Sequence, residues 1–270
     1  MIMKKYRCLF LDLDGCIYRG NKLIPGAKEA LERFREKSLQ ILFITNNSSL
    51  TSEGYCRKLR GLNIEARPEE VLTSGEATSL YILRESGQSN VLPITEKGFK
   101  EYCRRMGHTI IKINEWWKAS YVVVGIDRRF NYVKLRAAYK AIMNGSRFVA
   151  TNTDPVIPSE EGFEPGAGSI AAAISKAVGR EPIVIGKPSR IIMEIALQKV
   201  SFNPSEVLVV GDRLDTDILA GKVIGADTAL LLSGVTTKED LEKIPLANRP
   251  DYVCENLLEL YRLLETRSLI

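Results

Sequence analysis

The sequence predicts an α/β fold: a doubly wound parallel sheet with a smaller α/β segment inserted into it. Three observations predict it. Apolar runs of strand length alternate with stretches of helical periodicity along the chain, which is the pattern of a parallel sheet with helices on both faces. Four of those runs end in polar clusters, at Asp12/Asp14, Thr45–Ser48, Lys187 and Asp212/Asp217. Between polar turns at Gly87–Asn90 and Gly179–Pro182 the chain has strands and helices of its own. The expected division is a core from 1–87 and 183–270, with an inserted domain from 88–182.

The opening strand is Cys8-Leu9-Phe10-Leu11, which carries Asp12 and Asp14 to its end before Gly15 releases the chain into a turn. Side chains two apart in an extended strand point the same way, so Asp12 and Asp14 converge while Leu13 turns away. An apolar strand that ends in paired acids is costly unless they meet a cation or a ligand. Ile17–Lys22 is a turn-rich excursion. Ala27–Lys37 is a helix, with Ala27, Ala30, Leu31 and Phe34 at helical spacing. Leu39–Ile44 is a buried strand that runs into the cap and turn residues Thr45-Asn46-Asn47-Ser48-Ser49. Helices at Thr51–Leu62 and Glu76–Glu85 flank a short strand at Val71-Leu72.

In the insert, strands are expected at Val91–Ile94, Thr109–Ile113, Tyr121–Gly125 and Arg147–Ala150. Helices are expected at Lys97–Met106, Tyr132–Met143 and Ser169–Val178, with a long polar loop over Asn152–Gly168. The core alternation resumes at Ile183–Ile185, which ends in Gly186-Lys187-Pro188. A helix over Ser189–Lys199 leads to the strand Val207–Val210 and its Gly211-Asp212-Arg213-Leu214-Asp215-Thr216-Asp217 terminus. A helix then runs to Lys222. Strands at Thr228–Leu232 and Tyr252-Val253 precede the closing helix Leu257–Leu264.

With 270 residues, 45% of them hydrophobic, the chain is long enough for one large domain or two smaller ones. A net charge of +5 spread over scattered basic pairs argues against a nucleic-acid partner. Five cysteines without a C-x-x-C pair, and a single histidine, His108, argue against a zinc-finger site. The odd count and apolar contexts suit free thiols in a reducing compartment. The first apolar run is broken too early by Asp12 and Asp14 for a signal peptide. No apolar stretch reaches the length of a membrane span. The expectation is a cytoplasmic protein without a membrane partner.

In an open parallel sheet, ligands sit outside the carboxyl ends of the strands. The four clusters would therefore meet in one crevice holding carboxylates, a hydroxyl, backbone N–H groups and one lysine. Gathered carboxylates call for a hard cation, for which magnesium is the natural choice. The hydroxyl, the N–H groups and the ammonium call for an anion. A site for magnesium and an anion is a phosphoryl site.

The order Asp12-Leu13-Asp14-Gly15, Thr45-Asn46-Asn47-Ser48, Lys187, Gly211-Asp212 with Asp217 resembles the haloacid dehalogenase superfamily, on its phosphatase branch. Within the insert, Val124–Phe130, Ala150–Asp154 and Pro165–Ser169 resemble the capped nitrophenylphosphatase and phosphoglycolate phosphatase group. The resemblance covers the whole chain and implies a Rossmann-like core with a cap. It implies Asp12 as nucleophile and magnesium ligand, forming an aspartyl-phosphate. Asp14 would be general acid and then general base, its carbonyl also touching the metal. Thr45, Asn46, Asn47 and Ser48 would bind the phosphoryl oxygens, and Lys187 would balance their charge. Asp212 would ligate magnesium, with Asp217 as its outer partner. Cys16 departs from the pattern, which has a small apolar or hydroxyl residue there. The implied partner is a small phosphate ester, and homodimerisation through the cap is a family-level expectation.

Local readings compete with these. Thr45, Ser48 and Asp215 suit helix N-caps, and for Asp215 that reading is adopted. Gly166-Ala167-Gly168-Ser169-Ile170-Ala171 mimics a dinucleotide fingerprint but does not directly follow a strand. Gly186-Lys187 has the wrong spacing for a P-loop, and Pro188 stands where Ser or Thr should. A Ser-His-Asp hydrolase would need His108, yet no Gly-x-Ser-x-Gly elbow is present. A phospho-receiver module also sets acids, a hydroxyl and Lys-Pro at strand ends, but has adjacent acids and a shorter chain. A dehalogenase has no alkoxide to protonate, so Asp14 favours phosphate esters. The specificity-setting side chains are expected near Asp127-Arg128 and Asn152–Asp154.

Overall fold

The computed structural model describes residues 5–159 and 162–270. They form two compact units. The first comprises residues up to Thr45, Cys56–Leu72 and Lys187–Ile270; the second comprises Asn46–Tyr55 and Thr73–Gly186.

The first unit is built on a six-stranded sheet. Its strands, numbered in chain order, are β1 (Cys8–Leu11), β4 (Gln40–Thr45), β5 (Val71–Thr73), β13 (Val207–Gly211), β14 (Asp227–Leu231) and β15 (Tyr252–Cys254). They lie in the order β15-β14-β13-β1-β4-β5. β1 runs parallel to both β4 and β13, and β13, β14 and β15 are parallel in turn. Every residue of β1 is buried, as a central parallel strand covered on both faces requires. Leu9, Phe10 and Leu11 each contribute roughly 1.5–3 kcal/mol by leaving water. A two-residue hairpin pair, β2 (Tyr18–Arg19) with β3 (Lys22–Leu23), occupies the expected turn-rich excursion.

The second unit has its own sheet, in the order β12-β9-β8-β6-β7. Its strands are β6 (Asn90–Ile94), β7 (Thr109–Ile110), β8 (Tyr121–Val124), β9 (Arg147–Ala150) and β12 (Ile183–Val184), all parallel. Leu92, Ile94, Val122 and Val124 bury against Ala138, Ala141, Ile142 and Ile174 of the helices Tyr132–Met143 and Ala167–Val178. The loop expected over Asn152–Gly168 contains an antiparallel hairpin, β10 (Val156–Ser159) with β11 (Gly162–Pro165). Another unanticipated element is the short helix Lys238–Lys243, which opens on a Thr237/Asp240 capping box.

The expected boundaries at Gln88 and Pro182 differ from this division. Asn46–Tyr55 and Thr73–Gly87, expected in the core, pack in the second unit. There the Ser52 N–H donates to Tyr102 Oη (2.6 Å) and the Gly98 N–H to the Ser49 carbonyl (3.1 Å). Ile183-Val184 also departs from expectation: it pairs with Val149-Ala150 at the edge of the second sheet, not with the core sheet. A two-residue strand is defined by its partner, which local periodicity does not report. No helix among the described residues is long and apolar enough to cross a membrane.

Candidate active site

Strand order places the first unit's site. From β1 the chain goes to β4 and β5 on one side, then returns to β13 on the other. The crevice at such a switch point opens at the carboxyl end of the central strand. Leu11 is in register with Phe43 on one side and Val210 on the other. The residues that follow the three strands therefore emerge level with one another: Asp12 after β1, Thr45 at the end of β4, and Asp212 after β13.

Lys187 ties these strand ends together. Its buried ammonium donates to Asp12 Oδ1 (2.6 Å), Asp217 Oδ1 (2.6 Å) and the Ile44 carbonyl (2.9 Å). Burial lowers the Lys187 pKa, but Asp12 and Asp217 outweigh it and hold the ammonium charged. The chain re-enters the first unit at Lys187, directly after Gly186 of the second. The lysine thus follows the crossing from one unit to the other, where the sequence predicts the end of a core strand.

Asp212 and Asp217 are held by backbone. Asp212 Oδ2 accepts the Val235 N–H (2.7 Å), and Asp217 Oδ2 accepts the Arg213 N–H (3.2 Å). Leu214–Ile218 winds as a single π-helical turn, which turns Asp217 back to Lys187. Three glycines leave room for the carboxylates. A Cβ on Gly234 would lie 1.9 Å from Asp212 Oδ2, and one on Gly211 would lie 2.1 Å from Asp217 Cβ. Gly15 has φ +82°, and its Cβ would lie 2.3 Å from Asp212 Oδ2. Asp215, read as a helix cap, is instead gripped by Arg213 through Nε (3.0 Å) and Nη2 (2.7 Å). Arg213 is the residue at the N-cap position.

The acids outnumber the cation. Asp12, Asp212 and Asp217 face one ammonium, a surplus of two negative charges in a largely buried cluster. Burial raises the Asp12 pKa far above the usual carboxylate range; Lys187 opposes the rise, while Asp217 and Asp212 add to it. Asp212 is pushed up to about 7, by burial first and by Asp217 next. A divalent cation fits this deficit. One carboxylate oxygen each of Asp12 and Asp212, with Cys16 Sγ, lie within 4.8 Å of one another, and two oxygen donors suit magnesium.

Asp14 stands apart from that cluster. The bridge between Asp14 and Tyr18 places the tyrosine hydroxyl 3.5 Å from Asp14 Oδ2. Burial raises the Asp14 pKa, opposed by Lys58, Lys187 and the Tyr18 hydroxyl. Lys58 lies 3.7 Å above the Tyr18 ring.

The polar run after β4 divides between the units. Thr45 belongs to the first, Asn46 onward to the second. Asn46 Nδ2 donates to Asp154 Oδ2 (3.1 Å), while its carbonyl accepts from Ser74 Oγ (2.5 Å) and Asn152 Nδ2 (2.6 Å). Asn47 Oδ1 accepts the Ser49 N–H (2.9 Å), an Asx turn. Ser48 Oγ is buried 3.2 Å from Thr151 Oγ1, inside the second unit.

The residues expected to set specificity are likewise engaged inside the second unit. Buried Asp127 pairs with Lys134 (2.5 Å), and Arg128 with Glu96 (3.0 Å) and Glu164 (3.1 Å). In the fingerprint mimic, Cβ atoms on Gly166 and Gly168 would strike the Asp154 and Thr153 carbonyls at 2.3 and 2.2 Å. Those glycines are there for backbone packing. His108 is a buried packing residue, with Nδ1 accepting the Ser89 N–H (3.2 Å) and Nε2 3.1 Å from the Ser79 carbonyl.

Sequence reasoning missed the loop that fixes Asp212. Arg19 of β2 donates to the carbonyls of Ser233 (2.9 Å) and Gly234 (2.8 Å), and Ser233 Oγ donates to the Gly15 carbonyl (2.7 Å). A Gly-Val pair after a strand carries no local sign of that work.

Comparison with known proteins shows the family. A family model described as haloacid dehalogenase-like hydrolase matches residues 9–109, and a second, described as HAD-hydrolase-like, matches 184–260. The chain is 38% identical to an acid sugar phosphatase of Staphylococcus saprophyticus, over 97% of this chain and 100% of that one. It is similar to the solved p-nitrophenyl phosphatase of Archaeoglobus fulgidus: 36% identity, 96% of this chain, 100% of the other, TM-score 0.89. It is also similar to a glycerol phosphate phosphatase of Mycobacterium tuberculosis solved in complex with magnesium: 31% identity, 97% of this chain, 79% of the other, TM-score 0.89.

Proposed function

The chain belongs to the haloacid dehalogenase-like hydrolases and is a phosphoric monoester hydrolase, and from that premise we propose that it is magnesium-dependent, works through an aspartyl-phosphate and acts on small phosphorylated metabolites of the sugar-phosphate kind. One observation carries the reading: buried Lys187 clamps Asp12 and Asp217 beside Asp212, in a cluster that still lacks two positive charges. The names of the relatives, an acid sugar phosphatase and a p-nitrophenyl phosphatase, support the substrate class.

Asp12 and Asp212 would hold the magnesium ion, with the Asp14 carbonyl beside them. When bound, the ion supplies charge compensation for the phosphoryl oxygens. Lys187 engages Asp12 Oδ1, and Oδ2 is the attacking oxygen. It forms a bond to phosphorus as the bond from phosphorus to the ester oxygen breaks. Asp14 gives its proton to that leaving oxygen, then takes one from the water that hydrolyses the aspartyl-phosphate. Phosphate departs and both acids return to their starting state. The Thr45 hydroxyl and the backbone N–H groups of Asn46 and Asn47 would hold the phosphoryl oxygens, while Asp217 keeps Lys187 in place.

The test is hydrolysis of p-nitrophenyl phosphate and a panel of sugar phosphates by EDTA-treated protein with and without magnesium, beside Asp12→Asn. The expected result is activity that returns only with magnesium and is abolished in Asp12→Asn while the thermal transition persists. Full turnover in metal-free buffer, or near wild-type turnover by Asp12→Asn, refutes the reading.

A further inference from the structure

Cys16 sits four residues after Asp12, and its side chain is fully buried (0% exposed). The turn that follows β1 brings it there: the Ile17 N–H donates to the Leu13 carbonyl (2.9 Å) and the Gly15 N–H to the Tyr18 carbonyl (2.8 Å). This folds the thiol back against the acids. Cys16 Sγ and one carboxylate oxygen each of Asp12 and Asp212 all lie within 4.8 Å of one another. The sulfur makes no hydrogen bond among the described residues. The magnesium chemistry proposed for Asp12 and Asp212 has no use for it, because magnesium takes oxygen donors in near-ideal octahedra.

We propose that Asp12, Cys16 and Asp212 form a second, mutually exclusive site for a thiophilic divalent ion of the zinc class, and that this ion inhibits the enzyme. The inference rests on the reading of Asp12 and Asp212 as ion ligands.

The geometry suits a four-coordinate ion. With zinc–sulfur near 2.3 Å and zinc–oxygen near 2.1 Å, tetrahedral angles place sulfur and oxygen about 3.6 Å apart and two oxygens about 3.4 Å apart. The 4.8 Å bound leaves closure of at most about 1.2 Å between sulfur and oxygen and about 1.4 Å between the oxygens, within reach of side-chain rotation. Thiolate donors select zinc over magnesium, and three protein ligands with one water complete the tetrahedron. On binding, the sulfur–hydrogen bond breaks, sulfur keeps the electron pair and donates it to the ion, and the proton leaves to solvent. Inhibition follows because this ion takes Asp12 and Asp212 from magnesium and ties the Asp12 carboxylate to the Cys16 side of the site.

Cobalt(II) serves as the probe, because a thiolate ligand gives it a charge-transfer band in the near ultraviolet that oxygen ligands do not. The metal-free full-length protein should show this band on cobalt addition, and Cys16→Ser should lose it. With magnesium fixed, the zinc concentration for half-inhibition should rise at least about tenfold in Cys16→Ser and Cys16→Ala, each normalised to its own uninhibited rate. Wild-type protein that binds no cobalt, or binds it with an oxygen-only spectrum, overturns the inference even if neither variant folds. So does equal zinc sensitivity in all three proteins. If magnesium fails to restore the EDTA-treated wild type while the cobalt–thiolate band is present, the magnesium reading fails and the thiolate site stands.

Discussion

Gly234→Ala tests the placement of Asp212 more sharply than removing the acid does. The added Cβ would sit 1.9 Å from Asp212 Oδ2 and 2.2 Å from its Cβ. Contacts shorter than 3.0 Å are essentially never tolerated, so carboxylate and loop must separate by about 1.1 Å. Neither moves freely. The Val235 N–H anchors the carboxylate at 2.7 Å, and Arg19 anchors the Ser233 and Gly234 carbonyls. Overpacking of this kind costs about 1–3 kcal/mol, and misplacing a catalytic group by about an ångström costs on the order of 10²-fold in rate. The expected variant is folded, with a lower melting temperature, a raised magnesium requirement and kcat on p-nitrophenyl phosphate down about a hundredfold. Gly61→Ala is the control: nothing lies within 4 Å of its Cβ, and its effects should stay within about 1 kcal/mol with an unchanged rate. Gly234→Ala with wild-type magnesium dependence and rate would refute the reasoning.

Three further outcomes follow from Lys187, Asp212 and Asp14. Lys187→Met strands two buried carboxylates that each sit 2.6 Å from its ammonium; urea titration should show a loss of about 3–5 kcal/mol, and a loss below about 1 kcal/mol contradicts the buried ion-pair description. Asp212 has a folded pKa of about 7, above its ordinary 3.8, so between those values the folded state binds more protons than the unfolded. Stability of metal-free protein should therefore fall as pH rises from about 4 to 7, and magnesium should raise the melting temperature most at the upper end; a flat profile in EDTA speaks against the acid surplus. Asp14→Asn should slow alkyl phosphates by about 10²–10⁴ but p-nitrophenyl phosphate far less, because phenolate leaves without a proton; equal slowing of both, with no trapped phospho-enzyme, removes Asp14 from acid–base work.

Much of the molecule was legible in the residues themselves. Alternating apolar runs and helical periodicities specify an α/β fold because side-chain burial repeats with each element's own period. Asp12 and Asp14 were conspicuous because acids at the end of an apolar strand need compensation, and Asp212 and Asp217 because a Gly-Asp follows a second such strand. What stayed hidden is what depends on a partner distant in sequence. Ile183-Val184 reads as a core strand until Val149-Ala150 is seen beside it, and Lys187 accordingly reaches the acids from the crossing between units. The contact of the Ser48 hydroxyl with Thr151, about a hundred residues on, is equally invisible in the local sequence. The Arg19 clamp on Ser233 and Gly234 spans more than two hundred residues, and no local pattern encodes a bond to a backbone carbonyl that far away. Composition and periodicity thus determined which elements form and which residue types end them. Tertiary packing alone decided the register, which unit each short segment joins, and which side chains remain for chemistry after the scaffold's hydrogen bonds are made.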